Sequence, residues 1–531
     1  MPDGSNPATI ILNGCFRIET ADGKAVPVKS AKGQGLLALL ATNPRGERSR
    51  QWLQSRLWSD RAPDQASGSL RQELAQIRKV LDPAGIRLMA DRHRVWLDLR
   101  TVTILGGGGE DFLEGIDVRD SEFDLWLLAQ RMRQMPDPGH PAPSVPTPAP
   151  QAPDGWTIAI TPPEGSAGVI RWAEHLFADA VARTLREIFS APVLIGPAPE
   201  TGGRLSVIEV QCFAPAPGRM ELRLTLNHPA PRRQIWSGHR IVPLDGAPIT
   251  QRAETLGLVS DLIDVLDDIL APRCGAVSDD PDQLCRAAIR AMFSMQRQRL
   301  LQADAMLARA FDLAPRGIYL AWRAQIKAIQ KVERHCADVQ GLRDQARQLV
   351  AQALELEPNN SMVLAALANT HGQLLAEHDR SRVLAERSVL LNPANPMAWW
   401  ALSSANVYTG HAERAYDCAM TGRRLSALSP HRFWWNNQQF GASLALGRLE
   451  EALHFCKLAH AENPGFRPPL RYLIGLYAHA GEFDKALEAS RRLKEIEPDF
   501  EILRLVRDRD YPASLLHRAP GLDIDQVRAL I

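Results

Sequence analysis

The sequence has few cysteines and no long apolar run, and each absence excludes a class of protein. Its seven cysteines are spread over 531 residues, with no C-x-x-C pair and no zinc-ligand spacing, which excludes a disulfide scaffold and a zinc domain. No run of about 18 apolar residues could span a bilayer, and no early segment has the basic flank and apolar core of a signal peptide. We therefore expect a soluble cytoplasmic protein without membrane contact.

Motifs for catalysis and for cofactor binding are also missing. The sequence contains no G-x-x-x-x-G-K-[ST] phosphate loop, no H-E-x-x-H and no Ser/His/Asp order. The run Gly106–Gly109 is not followed by Lys-Ser/Thr and is better explained as a flexible turn. His454, Cys456 and His460 share an apolar helix without a second cluster of ligands, which favours packing over a metal site. We predict no enzyme, no catalytic residue, no cofactor and no metal.

The segment Pro63–Leu81 predicts a helix with two different faces. Leu70, Leu74, Ile77 and Leu81 recur at helical spacing and form an apolar stripe that should face a core. The opposite side carries amide, hydroxyl and cationic groups, which hydrogen-bond base edges and phosphates in protein–DNA complexes. Taken alone, this helix is explained more simply by a polar face that only contacts water. The adjacent segments of the sequence decide between this explanation and a DNA-contacting face.

The neighbouring segments predict the order strands, helix, helix, long helix, hairpin. Two short strands flank the Asn13-Gly14 turn, and short helices are expected over Gly33–Thr42 and Ser49–Leu57. Ile86–Leu99 alternates at strand period around a charged tip. This order is typical of a winged helix, whose third helix enters the major groove while the hairpin tip reaches a flanking phosphate or the minor groove.

These residues resemble the DNA-binding domain of the SARP (antibiotic regulatory protein) family and, more distantly, the winged helix of response regulators. The similar stretches are LLALLATNPRGERSRQWLQSRLWSD, SLRQELAQIRKVL and RVWLDL. The resemblance implies base contacts by Ser69, Gln72 and Gln76, although the family commonly has asparagine where this chain has Ser69. It also implies phosphate contacts by the cations of the long helix and the wing, which are Arg71, Arg78, Lys79, Arg92 and Arg94.

The distribution of charge agrees with this placement. Residues 1–100 hold 16 basic and 10 acidic residues, although the whole chain has a net charge of only +1. A basic surplus on one face favours a polyanion, here double-stranded DNA. Residues 101–130 then carry seven acids against Arg119 alone. We interpret this stretch as an acidic docking segment ending in a short helix that buries Leu125, Trp126 and Leu128, although a solvated acidic face would explain the acids equally well.

The sequence from Trp156 to about residue 272 predicts an α/β domain. Thr157–Ile160 is a candidate for a buried strand, and Trp172–Phe189 is a strongly amphipathic helix. Four more strands and a closing helix over Leu256–Leu270 follow. Their order resembles the TolB amino-terminal-like module, which occurs beside winged helices and helical repeats in bacterial regulators and could hold a small effector.

From about residue 280 the sequence has a helical pattern that repeats. Helix-ending prolines recur at intervals of 43, 35, 37, 34 and 34 residues, and a period near 34 identifies tetratricopeptide repeats (TPR). These prolines are Pro315, Pro358, Pro393, Pro430, Pro464 and Pro498. One unit cannot bury its faces, so five or six units should stack and present a concave surface to a peptide, a partner protein or a second copy.

Two pairs of tryptophans, Trp399-Trp400 and Trp434-Trp435, lie near the repeat junctions. Packing between repeats is the first explanation for them, and an exposed platform for a peptide is the second. Residues 501–531 follow the last unit and are expected to cap the open end of the array.

Together these features predict a multidomain, mainly α-helical protein with an N-terminal winged helix-turn-helix, an α/β middle domain and a C-terminal TPR α-solenoid. The boundaries are 1–100 for the winged helix, 101–134 for the acidic docking segment, 135–155 for a proline-rich linker, 156–272 for the TolB-like domain, 280–500 for the repeats and 501–531 for the cap. Our leading hypothesis is a sequence-specific DNA-binding bacterial transcriptional regulator. Its C-terminal domains would sense a ligand, bind RNA polymerase or a regulatory protein, or form a homodimer. The alternative is a TPR scaffold whose winged helix serves protein contacts.

Overall fold

The computed structural model describes residues 8–20, 22–43, 45–105, 112–134, 156–163, 166, 168–197, 204–228, 233–246, 248–270 and 280–531. The chain divides into two compact units, Met1–Pro143 and Ser144–Ile531. The predicted linker at 135–155 and the turn at Gly106–Gly109 lie outside the described residues.

The first unit contains the predicted order of strands, helix, helix, long helix and hairpin, with the further strands β3 and β6. Its elements are β1 (Ala8–Ile11), β2 (Arg17–Glu19), α1 (Ala31–Ala41), β3 (Glu47–Ser49), α2 (Arg50–Leu57), α3 (Pro63–Leu81), β4 (Leu88–Ala90), β5 (Arg94–Leu97), β6 (Val102–Leu105) and α4 (Ser121–Gln134). One sheet has the order β2-β1-β6 and the other β3-β5-β4. The predicted hairpin over Ile86–Leu99 is confirmed as the antiparallel pair β4 and β5.

Local sequence signals account for the helices of this unit. The apolar stripe of α3 is confirmed, because Leu70, Leu74, Ile77 and Leu81 are all buried. The predicted N-cap of α2 is also confirmed, since the Ser49 hydroxyl accepts a hydrogen bond from the Trp52 amide at 3.2 Å.

The core of this unit continues beyond residue 100, where the sequence-based boundary lay. Strand β6 pairs in parallel with β1, and Phe123 and Trp126 join the same core as the three helices. The Asp120 carboxylate accepts hydrogen bonds from the amide and hydroxyl of Ser59, both at 2.9 Å. The sequence-based boundary at residue 100 was placed where the chain changes from basic to acidic. The fold instead depends on the pairing of β6 with β1, and a strand of four residues is too short to be recognised in the sequence. The side chains of Leu125 and Leu128 are not among those described.

The middle part of the chain is an α/β domain with one five-stranded sheet. Its elements are β7 (Trp156–Thr161), α5 (Gly168–Ile188), β8 (Val193–Ile195), β9 (Arg204–Ala216), β10 (Arg219–His228), β11 (Arg233–Pro243) and α6 (Ala253–Leu270). The strand order is β11-β10-β9-β7-β8, and β7 is parallel to both of its neighbours. The predicted strands and helices are present, and the resemblance to the TolB module stays a prediction.

Twelve helices then form six antiparallel pairs. They are α7 (Pro281–Met292), α8 (Arg297–Leu313), α9 (Gly317–Val332), α10 (Val339–Leu356), α11 (Ser361–Thr370), α12 (His378–Leu391), α13 (Pro396–Tyr408), α14 (Ala412–Leu425), α15 (Arg432–Ala445), α16 (Leu449–Glu462), α17 (Arg467–His479) and α18 (Phe483–Ile496). A π-helical turn, His371–Leu375, extends α11. The tail after α18 contains α19 (Arg504–Arg507) and two 3-10 helices, Ser514–His517 and Ile524–Leu530.

The α/β domain is anchored in this array by the carboxyl-terminal end of α5. The buried Glu187 carboxylate accepts hydrogen bonds from the Ser361 hydroxyl at 2.5 Å and the Asn392 amide at 2.7 Å. The Arg316 and Arg286 guanidinium groups donate to the last carbonyls of the α5 segment, which suits cations at a helix carboxyl terminus. The α/β domain and the helical array therefore form one unit.

Candidate functional site

The first helices of the pairs face the inside of the array, where a partly open chamber lies. Its volume is about 340 Å³, and its walls come from α9, the π-helical turn, α13, α15, α17 and the tail. The inner helices are buried along most of their length, and all ten residues of α11 are buried. The chamber is therefore a concave surface on which the array could hold a ligand.

Residues near the two ends of the array contact each other. Arg334, after α9, donates to the Asp499 carboxylate after α18 at 2.7 Å and also pairs with Glu497. Nearby, the Asn463 amide donates to the Phe293 carbonyl at 3.3 Å, and the Phe293 and His431 rings stack with their centroids 4.4 Å apart. The second pair thus lies beside the last pair, and the first pair lies beside the fifth.

A buried arginine lies at this junction. Arg471, on α17, donates to the Val332 carbonyl at 2.7 Å, to Glu497 at 2.9 Å and to the Tyr511 hydroxyl at 3.2 Å. Its side chain is completely buried, so these partners replace the water that a guanidinium needs. We call Arg334, Arg471, Glu497 and Tyr511 the closing cluster. Burial alone would raise the pKa of Glu497, but Arg471 and Arg334 lower it overall.

Glu333 lines the chamber beside the closing cluster. Burial raises its pKa to about 7, against the lowering effect of Arg471 and Arg467. One carboxyl oxygen, Oε1, has no hydrogen-bond partner, whereas the backbone amide of Arg467 donates to Oε2 at 3.4 Å. This carboxyl therefore exchanges its proton near neutral pH.

The tail lies along the inner face instead of only capping the open end. Leu516 packs at Gly475 of α17, where a Cβ atom would come within 2.8 Å of the leucine side chain. Pro520 reaches Gly447 after α15, and the Asp523 amide donates to His479 Nδ1 at 3.1 Å. Glycine allows this close approach.

The tryptophan pairs pack between repeats, as the first explanation predicted. The rings of Trp400 and Trp434 stack with centroids 5.0 Å apart, and Trp400, Trp434 and Trp435 are buried. The Trp399 indole donates to the Pro393 carbonyl at 2.8 Å. Trp400 and Trp434 also line the chamber. The same two side chains therefore pack between repeats and form part of the chamber wall.

No group of three or more potential metal ligands occurs in the part of the chain that the structure describes. Cys456 is buried, its thiol contacts the Pro469 carbonyl at 3.3 Å, and burial raises the pKa of the thiol. Of the helices described, none has the length and apolarity needed to cross a membrane.

Five of the predicted DNA-contacting residues point into solvent in the first unit. Arg71, Gln72, Gln76 and Lys79 are exposed on α3, and Arg92 is exposed at the tip between β4 and β5. The structure thus brings amides and cations together on one exposed helix face, opposite the buried leucines.

The other three predicted residues are engaged within the protein. Ser69 donates to the Gln65 carbonyl and accepts from Arg61, both at 2.8 Å. Arg78 donates through Nε to the Leu88 carbonyl at 2.9 Å and so joins α3 to β4. Arg94 pairs with Glu47 at 2.7 Å and with Asp91 at 3.4 Å. To donate to a base, Ser69 would have to give up its bond to Gln65, whereas Arg94 is exposed and keeps further donors for a phosphate.

Sequence reasoning missed the charged residues that line the chamber and the buried arginine of the closing cluster. Lys331, Glu333, Arg343 and Arg471 were not singled out, because a repeat pattern draws attention to apolar and small positions. One signal was present: Arg471 interrupts the apolar run of α17 between Leu470 and Tyr472.

The helical geometry agrees with a match to a known family. A tetratricopeptide repeat family matches residues 443–508. This part of the array is similar to tetratricopeptide repeats. Similar solved structures include PilF of Pseudomonas aeruginosa (17% identity, 37% of this chain and 91% of that chain, TM-score 0.27) and the type IV pilus biogenesis factor PilW (18%, 41% and 96%, 0.29). YrrB, a TPR protein with an unusual peptide-binding site, is also similar (17%, 36% and 93%, 0.24). These similarities carry no argument about function, and no curated protein matches the chain.

Proposed function

We propose that the chain is a protein-interaction scaffold that binds a segment of a partner protein on the inner face of its TPR array. The observation that supports this most directly is the tail, which already occupies that face as a bound segment would. Leu516 and Tyr511 are buried there. A partner segment with an aromatic residue followed by leucines would suit the same surface. RNA polymerase, a regulatory protein and a second copy are candidate partners within this proposal.

Loosening the tail should expose this binding surface. Leu516→Asp would bury an unpaired carboxylate at Gly475, which is unfavourable, so the tail should detach. We expect a fluorescent peptide of residues 508–519 to bind this variant about tenfold or more tightly than the unchanged chain, in which the tail competes. Fluorescence anisotropy with the full chain measures the difference.

The matched control for this experiment is Arg528→Ala, which alters an exposed side chain of the same tail. It should bind the peptide as weakly as the unchanged chain. Equal affinity of the peptide for the unchanged chain and for a folded Leu516→Asp variant would contradict the proposal.

A second candidate function is sequence-specific binding of double-stranded DNA by the first unit. The exposed amides and cations of α3, with Arg92 beside them, favour it, because such groups contact bases and phosphates. On this proposal the unit is a winged helix, the TPR array controls it through its partner, and the whole chain is a transcriptional regulator.

Removing phosphate-contacting cations should weaken the salt dependence of DNA binding. Lys79→Ala and Arg92→Ala should each reduce the slope of log affinity against log salt by about one. Genomic fragments selected with the full chain at two salt concentrations provide the DNA. Lys24→Ala, at an exposed lysine in the turn after β2, should leave the slope unchanged. If no sequence motif is enriched, this candidate function fails.

A further inference from the structure

Two cations meet at the π-helical turn that forms one wall of the chamber. The Lys331 ammonium donates to the Gln373 carbonyl at 2.7 Å, and the Arg343 Nε donates to the adjacent Leu374 carbonyl at 3.2 Å. Because these carbonyls are consecutive, the two cations lie next to each other. The turn ends at Ala376 with a φ of 60°, a conformation that is uncommon outside glycine, and π-helical turns occur frequently at functional sites.

No carboxylate forms a close ion pair with either of these cations. In the described part of the chain, neither Lys331 nor Arg343 has an acidic group within 4.0 Å, and Asp510 of the tail, which lines the same chamber, acts on the charge of Lys331 from beyond that distance. Each cation uses one donor on a carbonyl, although an ammonium has three and a guanidinium five. Burial, together with Arg343, lowers the pKa of Lys331. The remaining donors therefore point to an anion.

The chamber also contains polar atoms that lack partners. Asn369 and Trp434 are both more than nine-tenths buried, and the Asn369 Oδ1 acceptor and the Trp434 Nε1 donor have no hydrogen bond. The Asn369 amide nitrogen is already used, since it donates to Gln325 at 2.6 Å. Buried polar groups are nearly always satisfied in folded proteins. A ligand that carries several hydroxyl groups could donate to the acceptor with one of them and accept from the donor with another.

We propose that the chamber binds a small organic anion that carries hydroxyl groups. Its carboxylate or phosphate would lie between Lys331 and Arg343, and its hydroxyl-bearing body would reach Asn369 and Trp434. A volume of about 340 Å³ suffices for such a molecule, since small-molecule sites begin at about 300 Å³. A purely structural role, in which Lys331 and Arg343 only bind the carbonyls at the end of the π-helical turn, would use one donor of each side chain. It would explain neither the remaining donors of the two cations nor the polar atoms of Asn369 and Trp434 that lack partners.

The test is thermal unfolding of the full chain with three probes of similar size. Glucose 6-phosphate carries a phosphate, gluconate carries a carboxylate, and glucose is neutral. We expect a saturable rise in Tm with at least one of the two anions and none with glucose. The anion that acts distinguishes a phosphate ligand from a carboxylate ligand.

Variants of the two cations assign the effect to the chamber. Lys331→Gln and Arg343→Gln should each weaken binding of the active probe by about tenfold or more, whereas Lys494→Gln, on the exposed side of α18, should not change it. Because the two cations also hold carbonyls, hydrogen exchange of the unchanged chain gives a second readout. The active probe should slow exchange over residues 369–376.

Two results would overturn the proposal. One is the absence of a saturable response to either anion up to about 10 mM, a concentration that would reveal even millimolar affinity. The other is a response that the Lys331 and Arg343 variants retain in full, or one without protection of residues 369–376.

Discussion

Replacing Arg471 with alanine should lower the free energy of unfolding of the second unit by about 3–5 kcal/mol, the usual cost of removing one partner from a buried ion pair. Arg471 is completely buried and holds Glu497, the Val332 carbonyl and the Tyr511 hydroxyl. Without it, the buried Glu497 keeps Arg334 but loses its other cation. The contact between the two ends of the array should weaken at the same time.

Urea denaturation followed by tryptophan fluorescence measures this loss, because tryptophans lie on both sides of the junction. Arg491→Ala is the matched control, since this arginine is exposed on α18 and pairs only with Glu488 among the contacts described. Its effect should stay within about 0.5 kcal/mol. An Arg471→Ala variant that unfolds at the same urea concentration as the unchanged chain would contradict the structural role of the closing cluster.

The second large effect concerns pH and Glu333. Burial raises the pKa of this carboxyl from 4.5 to about 7, so the folded state binds the proton more tightly than the unfolded state. Its contribution to stability is therefore complete below the unfolded pKa and is lost as pH rises towards 7. We expect a loss of about 2–3 kcal/mol between about pH 5 and pH 8 from this residue.

Glu333→Gln separates this effect from the other titrating groups, because the amide imitates the protonated carboxyl. The difference in unfolding free energy between the variant and the unchanged chain should grow in favour of the variant from about pH 5 to pH 8. Urea titrations at several pH values provide the comparison. Parallel pH profiles for the two proteins would show that Glu333 has an ordinary pKa.

Local features of the fold could be predicted from the sequence, because their signals are local. The period of Leu70, Leu74, Ile77 and Leu81 defines α3, and Ser49 marks the start of α2. The spacing of the prolines from Pro315 to Pro498 likewise predicts the repeats. Each of these features depends on residues within a few turns of one another.

Features that join distant parts of the chain could not be predicted in this way. Nothing near Val102–Leu105 indicates that it pairs with β1, and nothing near Arg334 indicates that Asp499 lies beside it. The chamber forms only because distant parts of the array contact each other, so its cations could not be distinguished in the sequence from ordinary helix residues. The exposed face of α3 was predicted correctly, whereas the partners of Ser69, Arg78 and Arg94 required the structure.

The contacts of the first two pairs with the last two pairs change how the array should lose its structure. In an open solenoid each repeat contacts only its neighbours, so the terminal repeats fray first and unfolding proceeds inwards. Here Arg334 with Asp499, and Phe293 with Asn463, leave neither end free. When the helices at one end separate from the array, the helices at the other end lose their partners as well. Unfolding of one terminal helix pair therefore breaks two interfaces, one with its neighbour in the chain and one with the opposite end. The array should therefore unfold as a single cooperative transition.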